Sequence, residues 1–369
     1  MRSVRRAWTP LAIVLLNTVA LLLAVNAVTW VALTTYDAYS AFEPPIRSAY
    51  PNVDLTRVYP GYSNEDIDTL LSEQWSQTHI YEPFTEHREL PRNSRYINVA
   101  PEGYRLNGVG SPTWPPPTNA VTVFVFGGST TFGVGVEDAS TIPAHLARLL
   151  HGVHVYNFGR RFYYSSQERS LLEELLAKGL VPDLAIFIDG LNEFYGPTPA
   201  YTGRLSDFMN GRAPTTSPLD QFAIVRAVDR VRRRLLPRTA TENPQPSGIA
   251  VASALSRYRA NRRMIQAVAQ AFNTETLFVW QPVPSYGYDL TYHLFRSQES
   301  AAQRGYEAMA ATRGGDDVGF LWLADLQRDA REPLYVDSVH YTAAFAGQIA
   351  EHIARALRER GLPAITTHP

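Results

Sequence analysis

From Val121 onward, short apolar runs alternate with segments whose apolar residues recur at helical spacing. The runs VTVFVF, VHVYNFG, PDLAIFIDG, TLFVWQP and GFLWLAD are rich in β-branched and aromatic residues and predict strands covered on both faces. Between the first two, TIPAHLARLLH predicts a helix with Thr141 as cap and Pro143 in its first turn. SSQERSLLEELLAKG predicts a serine-capped helix closed by Gly179, and ASALSRYRANRRMIQAVAQAF a long one. A further helix is expected over Ala301–Ala311, and TAAFAGQIAEHIARALRER ends the pattern. Strands alternating with helices predict an α/β class, with a parallel sheet carrying helices on both faces. In such sheets a ligand sits beyond the carboxyl ends of the strands, so the residues just after each strand matter most.

Upstream the pattern is different. No charge interrupts the stretch from Ala7 to Tyr36, which is long enough to cross a bilayer as a helix, and Arg2, Arg5 and Arg6 precede it. Their position predicts a cytoplasmic N-terminus and a body on the far side, periplasmic or at the cell surface. A cleaved secretory signal is the competing reading, because Val25 and Ala27 satisfy a small-residue cleavage site. The apolar run continues through VTWVALTTY beyond that point, which favours an uncleaved anchor. Residues 37–119 form a proline- and tyrosine-rich approach segment, in which SNEDIDTLLSEQWSQ predicts a short helix capped by Ser63. RYINVAPEGYRLNG in the same segment is compatible with a hairpin. The expected order is therefore 1–36 as tip and anchor, 37–119 as approach, and 120–369 as the main domain with an insertion at about 196–247. Within the insertion, Ile224, Val228, Val231 and Leu235 fall on one helical face opposite several arginines. That pattern predicts a surface helix packed on the main domain; a basic helix leaning on anionic lipid or glycan is the second reading.

Composition narrows the chemistry. A chain of 369 residues with 45% hydrophobic content can bury a large core, and a net charge of -1 gives no general reason to bind nucleic acid. Lys178 is the sole lysine, so Schiff-base and lysine-dependent phosphate chemistry have one residue to work with. The chain has no cysteine, which excludes disulfides, thiolate metal sites and cysteine nucleophiles. His79, His87, His151 and His154 form no metal set with nearby carboxylates, so neither metal nor cofactor is expected. Asp189 and Glu193 lie on one short loop with no third acid to face them, unlike a glycosidase pair.

After the first strand comes GGSTTFG. It has no lysine for a Walker-type loop, and its glycines do not fit a dinucleotide fingerprint. What remains is Ser129 at a sharp strand-to-helix turn. The second strand ends at NFG, with Gly159, and the third runs into DGLNEF, with Asn192. Before the last helix, YVDSVHYT sets Asp337 three residues from His340, a spacing that lets the carboxylate orient the imidazole. These are the parts of an acyl-transfer site: nucleophile, base, orienting acid and oxyanion donors.

In these four blocks, FGGSTTFG, NFG, GLNE and DSVH, the chain resembles the SGNH (GDSL-type) hydrolases, with a membrane-anchored or secreted type of leader. The resemblance implies a three-layer sandwich with a parallel flavodoxin-like sheet. It also implies Ser129 as nucleophile, His340 and Asp337 as base and acid, and an oxyanion hole of Ser129, Gly159 and Asn192. Gly128 replaces the usual aspartate, Glu193 replaces another, and RRFYY replaces a small, glycine-containing stretch after Gly159. Arg160, Arg161 and Phe162 are therefore expected to crowd or charge the pocket rim, and Gln281 to line the pocket. The implied activity is esterase action on an acylated glycan or small ester. O-acyl transfer to an envelope polymer, with a membrane acyl-donor partner, is the alternative, and a non-catalytic envelope scaffold a third.

Overall fold

The structure is a computed structural model that describes residues 2–42, 50, 53–76, 79–108, 110–194, 222–225, 227–228, 231, 248–295, 301–312 and 319–361. The chain divides into two compact units, Met1–Pro45 with Gly203–Pro244, and Ile46–Thr202 with Gln245–Pro369.

In the first unit, helix α1 runs Arg2–Phe42. Its Pro10–Thr35 stretch has 26 residues and a mean hydropathy of 2.4. At 1.5 Å per residue such a stretch extends about 39 Å, more than the roughly 30 Å of a hydrocarbon core. The chain thus has one helix, among the described residues, long and apolar enough to span a membrane. Thr18 and Thr29 return their hydroxyls to the carbonyls of Val14 and Val25, both at 2.8 Å, so these polar groups are satisfied within the helix. In the insertion, residues 223–225, 227, 228 and 231 are helical. Val228 and Val231, expected on a packed face, are exposed, and Leu235 lies outside the described residues.

The second unit is built on a five-stranded parallel sheet: β3 (Val121–Gly127), β4 (Val153–Asn157), β5 (Leu184–Asp189), β6 (Glu275–Trp280) and β7 (Phe320–Trp322). Their spatial order is β4-β3-β5-β6-β7, the flavodoxin-like arrangement, with the change of direction at β3. Alternate residues serve opposite faces, as the pleat requires. Val123, Val125, Ile186, Ile188, Leu277 and Val279 pack beneath α4 (Ile142–Leu149) and α8 (Ala343–Glu359). Phe124, Phe126, Ala185, Phe187 and Phe278 pack beneath α5 (Ser165–Ala177) and α6 (Gly248–Ala271). Phe126, Phe187 and Phe278 are register partners, and their rings stack with centroids 4.9 and 5.2 Å apart. This is the expected three-layer sandwich. A last helix on this side, α7 (Ala301–Thr312), packs on α6. One cap differs from expectation: Tyr164, not a serine, holds the cap position of α5, and Ser165 is already helical.

The approach segment contributes α2 (Asn64–Trp75), where Ser63 and Asp66 close a reciprocal capping box. The expected hairpin exists as single antiparallel bridges, Arg92 to Val99 and Val99 to Arg105, with Ala100 N–H donating to Tyr104 O at 2.9 Å. An unexpected one, β1 (His79–Glu82) against β2 (Glu86–Glu89), precedes it. Its strands alternate too few apolar residues to register as strands. Its acids are held instead by two arginines far along the chain.

Candidate active site

β3 ends at Gly127, and the chain passes through Gly128 into the four-residue helix α3 (Ser129–Phe132). Ser129 is half-buried and opens that helix, where a backbone N–H has no intrahelical acceptor. A β-carbon on Gly128 would lie 2.4 Å from Nδ2 of Asn192. The absent side chain is what lets that amide lie against the serine turn. Asn192 itself sits in a 3-10 turn, Leu191–Phe194, directly after β5. Its Nδ2 donates to Tyr163 O at 2.7 Å, which leaves a second amide hydrogen for another acceptor.

Gly159, just after β4, is pressed onto α3. A β-carbon there would fall 2.3 Å from Phe132 N and 2.6 Å from the Thr131 carbonyl carbon, so only glycine permits the approach. Its N–H, expected to face an oxyanion, donates to Asn157 Oδ1 at 3.0 Å. Asn157 Nδ2 in turn donates to Thr131 O at 3.1 Å, tying the loop to α3.

Asp337 and His340 lie on a turn closed by Val336 N–H donating to His340 O at 2.8 Å. Asp337 Oδ1 accepts from the Val339 and His340 backbone amides at 2.9 and 2.8 Å, and Oδ2 lies 2.6 Å from His340 Nδ1. Burial alone would raise the Asp337 carboxyl; the His340 ring and the two amides outweigh it and hold it below its ordinary value. An ionised acid on Nδ1 fixes the proton there, so Nε2 is left as acceptor. That Nε2 is buried and has no hydrogen-bond partner among the described residues.

One side chain joins the serine segment to the histidine segment. Gln281, the residue after β6, accepts at Oε1 from Thr130 Oγ1 at 2.5 Å and from Tyr341 OH at 3.2 Å. Thr130 follows Ser129 and Tyr341 follows His340, so neighbours of the two reactive residues meet on one oxygen. Tyr341 OH also donates to Pro282 O at 2.7 Å. Gln281 is buried, so its expected place as a pocket liner becomes a place in the framework. All five predicted reactive residues therefore belong to, or are fastened to, the carboxyl ends of β3, β4, β5 and β6.

The expected charged rim is absent from Arg160 and Arg161. Arg160 is buried, paired with Glu82 and donating to Tyr163 OH at 2.8 Å; Arg161 pairs with Glu89 at 3.0 Å. Both charges are neutralised within the fold because the β1–β2 hairpin brings two acids to them. Phe162 alone of the three is exposed, at a φ of 67°.

Arg105 is a further residue beside the Ser129 segment that the sequence did not single out. Fully buried, it pairs with Asp138 at 2.8 Å and donates to the carbonyls of Phe132, Gly133 and Val136 at 2.9, 2.6 and 2.7 Å. It thereby holds the last carbonyl of α3 and the turn that follows it. A lone arginine in an otherwise mild loop, GYRLNG, carried no local signal of that role.

No protein-family model matches the sequence, and no curated protein matches it. Among solved structures the chain is similar to a protein described as lipolytic and of the G-D-S-L family from Desulfitobacterium hafniense, at 13% identity and a TM-score of 0.37. That match covers 64% of this chain and 98% of the other. A lipase from a goat rumen metagenome matches at 13% identity and a TM-score of 0.38, over 64% and 97% of the two chains. A catalytic mutant of an acetylxylan esterase from Geobacillus stearothermophilus matches at 15% identity and 0.34, over 67% and 97%. Scores of this size carry no weight for the chemistry, which rests on the geometry above.

Proposed function

We propose that this chain is a membrane-anchored serine ester hydrolase whose catalytic unit lies outside the cytoplasm, acting on an acylated glycan or a small ester. The observation that carries the reading is the Asp337–His340 pair: an oriented imidazole with an unpartnered Nε2, fastened through Gln281 to the residue beside Ser129. In this reading Ser129 Oγ attacks the ester carbonyl while Nε2 takes its proton, and Asp337 stabilises the resulting imidazolium. The carbonyl oxygen becomes an oxyanion held by the Ser129 N–H and the second hydrogen of Asn192. The Gly159 N–H joins them only by leaving Asn157. Nε2 then protonates the leaving alcohol, and water, deprotonated by the same nitrogen, releases the acyl group. Helix α1 supplies the anchor, and the arginines before it the orientation.

The test uses the full chain in detergent, with p-nitrophenyl acetate as substrate and a fluorophosphonate as label. The expected result is turnover and labelling that both vanish in Ser129→Ala. Asn192→Ala lowers kcat by roughly 10²–10³-fold, the usual loss of one oxyanion donor. Labelling that persists in Ser129→Ala, or an unmutated protein without turnover, overturns the reading.

A further inference from the structure

The β1–β2 hairpin grips the loop 158–164, which carries Gly159 and holds the Asn192 amide. The first half of that loop is fixed by the sheet, with Phe158 N–H donating to Val125 O at 2.8 Å and Arg160 N–H to Gly127 O at 3.0 Å. The second half doubles back through Phe162, at a φ a phenylalanine adopts only at a cost, and closes with a long 3.3 Å bond from Tyr163 N–H to Arg160 O.

The hairpin holds that second half from outside. Glu89 takes the Arg161 guanidinium at both carboxylate oxygens, at 3.1 and 3.0 Å, and its backbone N–H at 3.3 Å. His87 Nε2 donates to Arg161 O at 2.8 Å, and Tyr163 OH donates to His87 O at 2.6 Å. Glu82 takes Arg160, and Glu86 takes Gln167 of α5 at 3.0 Å. From His87 O the path reaches Asn192 through one residue: Tyr163 binds the hairpin by its hydroxyl and the Asn192 amide by its carbonyl. Arg160, His87 and Glu89 are each almost fully buried, so water does not compete for these bonds.

We infer that Glu82, His87 and Glu89 are positioning residues for the oxyanion site, acting through Tyr163 on the Asn192 amide. The inference rests on the hydrolase reading for its kinetic consequence, but not for its structural one. A role limited to stability leaves kcat unchanged once the protein is folded; a positioning role lowers kcat and spares KM.

The experiment takes Glu89→Gln and Tyr163→Phe in the full chain in detergent, alone and combined with Asn192→Ala. Tyr163→Phe keeps the carbonyl and cuts the link without removing a charge, so it decides the matter if Glu89→Gln fails to fold. The expected result is a fall in kcat of about tenfold with KM changed less than about twofold, as a misplaced donor produces. In the Asn192→Ala background the further fall is under about twofold, because the group being positioned is gone. An unchanged kcat, or equal falls in both backgrounds, overturns the inference. Backbone hydrogen exchange over 158–164 gives a second readout independent of activity. It is expected to quicken about tenfold in both variants while β6 is unaffected, and equal exchange overturns the inference. If the unmutated protein lacks turnover, the hydrolase reading falls and the exchange result still decides the clamp.

Discussion

Two groups of buried acids flank the Asn192 turn, and they titrate in opposite directions. On the hairpin side, Glu89 is buried but receives Arg161 and His79. Burial raises its carboxyl, and these partners more than reverse the effect, holding it at about 2. On the other side, beneath the turn, Glu168, Asp189 and Glu193 are buried together. Burial comes first in pushing all three up, and for Glu168 and Asp189 the neighbouring acids add to it. The Ser165 N–H, donating to Glu193 at 2.7 Å, and then Arg257 at 3.4 Å offset only part of this at Glu193. Burial of the same chemical group thus favours the anion where an arginine meets it and the protonated form where acids crowd together. The hairpin side locks the loop 158–164 electrostatically, through Glu82 with Arg160 and Glu89 with Arg161. On the interior side Glu193 accepts the Ser165 N–H at 2.7 Å.

The contrast is broken most severely by Glu89→Ala, which takes both carboxylate oxygens away from the half-buried Arg161 guanidinium. We expect it to cost about 3–5 kcal/mol, read as a lowered midpoint in thermal unfolding of the full chain. A cost below about 1 kcal/mol would mean that Arg161 is rehydrated and the lock is not one.

The pH dependence sharpens the comparison next. Because the Glu89 carboxyl is lower in the fold than its ordinary 4.5, its stabilisation is present above that value and lost as pH falls towards about 2. The loss is on the order of 3 kcal/mol, and the acid limb of stability against pH should flatten in Glu89→Gln. For the interior trio the sign is reversed. Their carboxyls are raised, so their contribution is full below the ordinary carboxylate range and is lost as pH climbs through the raised values. Denaturant titrations from pH 4 upward should show that decline in the unmutated chain and a shallower one in Glu168→Gln.

The smallest effect expected is Glu168→Gln at neutral pH. Burial and the neighbouring acids already favour the protonated carboxyl there, so an amide in its place should change stability by no more than about 1 kcal/mol. A loss comparable to that of Glu89→Ala would place an ionised Glu168 in the interior and overturn the comparison.

Much of this was legible along the chain. The central strands were evident because they are buried on both faces and so read as continuous β-branched or aromatic runs, as in VTVFVF and LAIFID. The helix at Ser63 was evident because its cap is a local motif, complete within four residues. Ser129, Gly159, Asn192 and the Asp337–His340 pair stood out because strand ends are special positions in any parallel sheet. The β1–β2 hairpin was not legible, since HIYE and EHRE have no apolar period, and what makes them strands is the pairing of their acids with Arg160 and Arg161. For the same reason those arginines read as a charged rim when they are ties within the fold.

What the sequence determined by itself is therefore everything carried by local periodicity and local chemistry: the layered α/β class, the apolar span of α1, and the types of residue set at the strand ends. Only the tertiary structure decided which of the polar residues are free to act. It occupied the Gly159 N–H with Asn157, drew Gln281 into the link between Thr130 and Tyr341, and neutralised two arginines with acids more than seventy positions away. A charge or a hydrogen bond takes its value from the partner and the water around it, and in a folded chain both are supplied by residues distant in sequence.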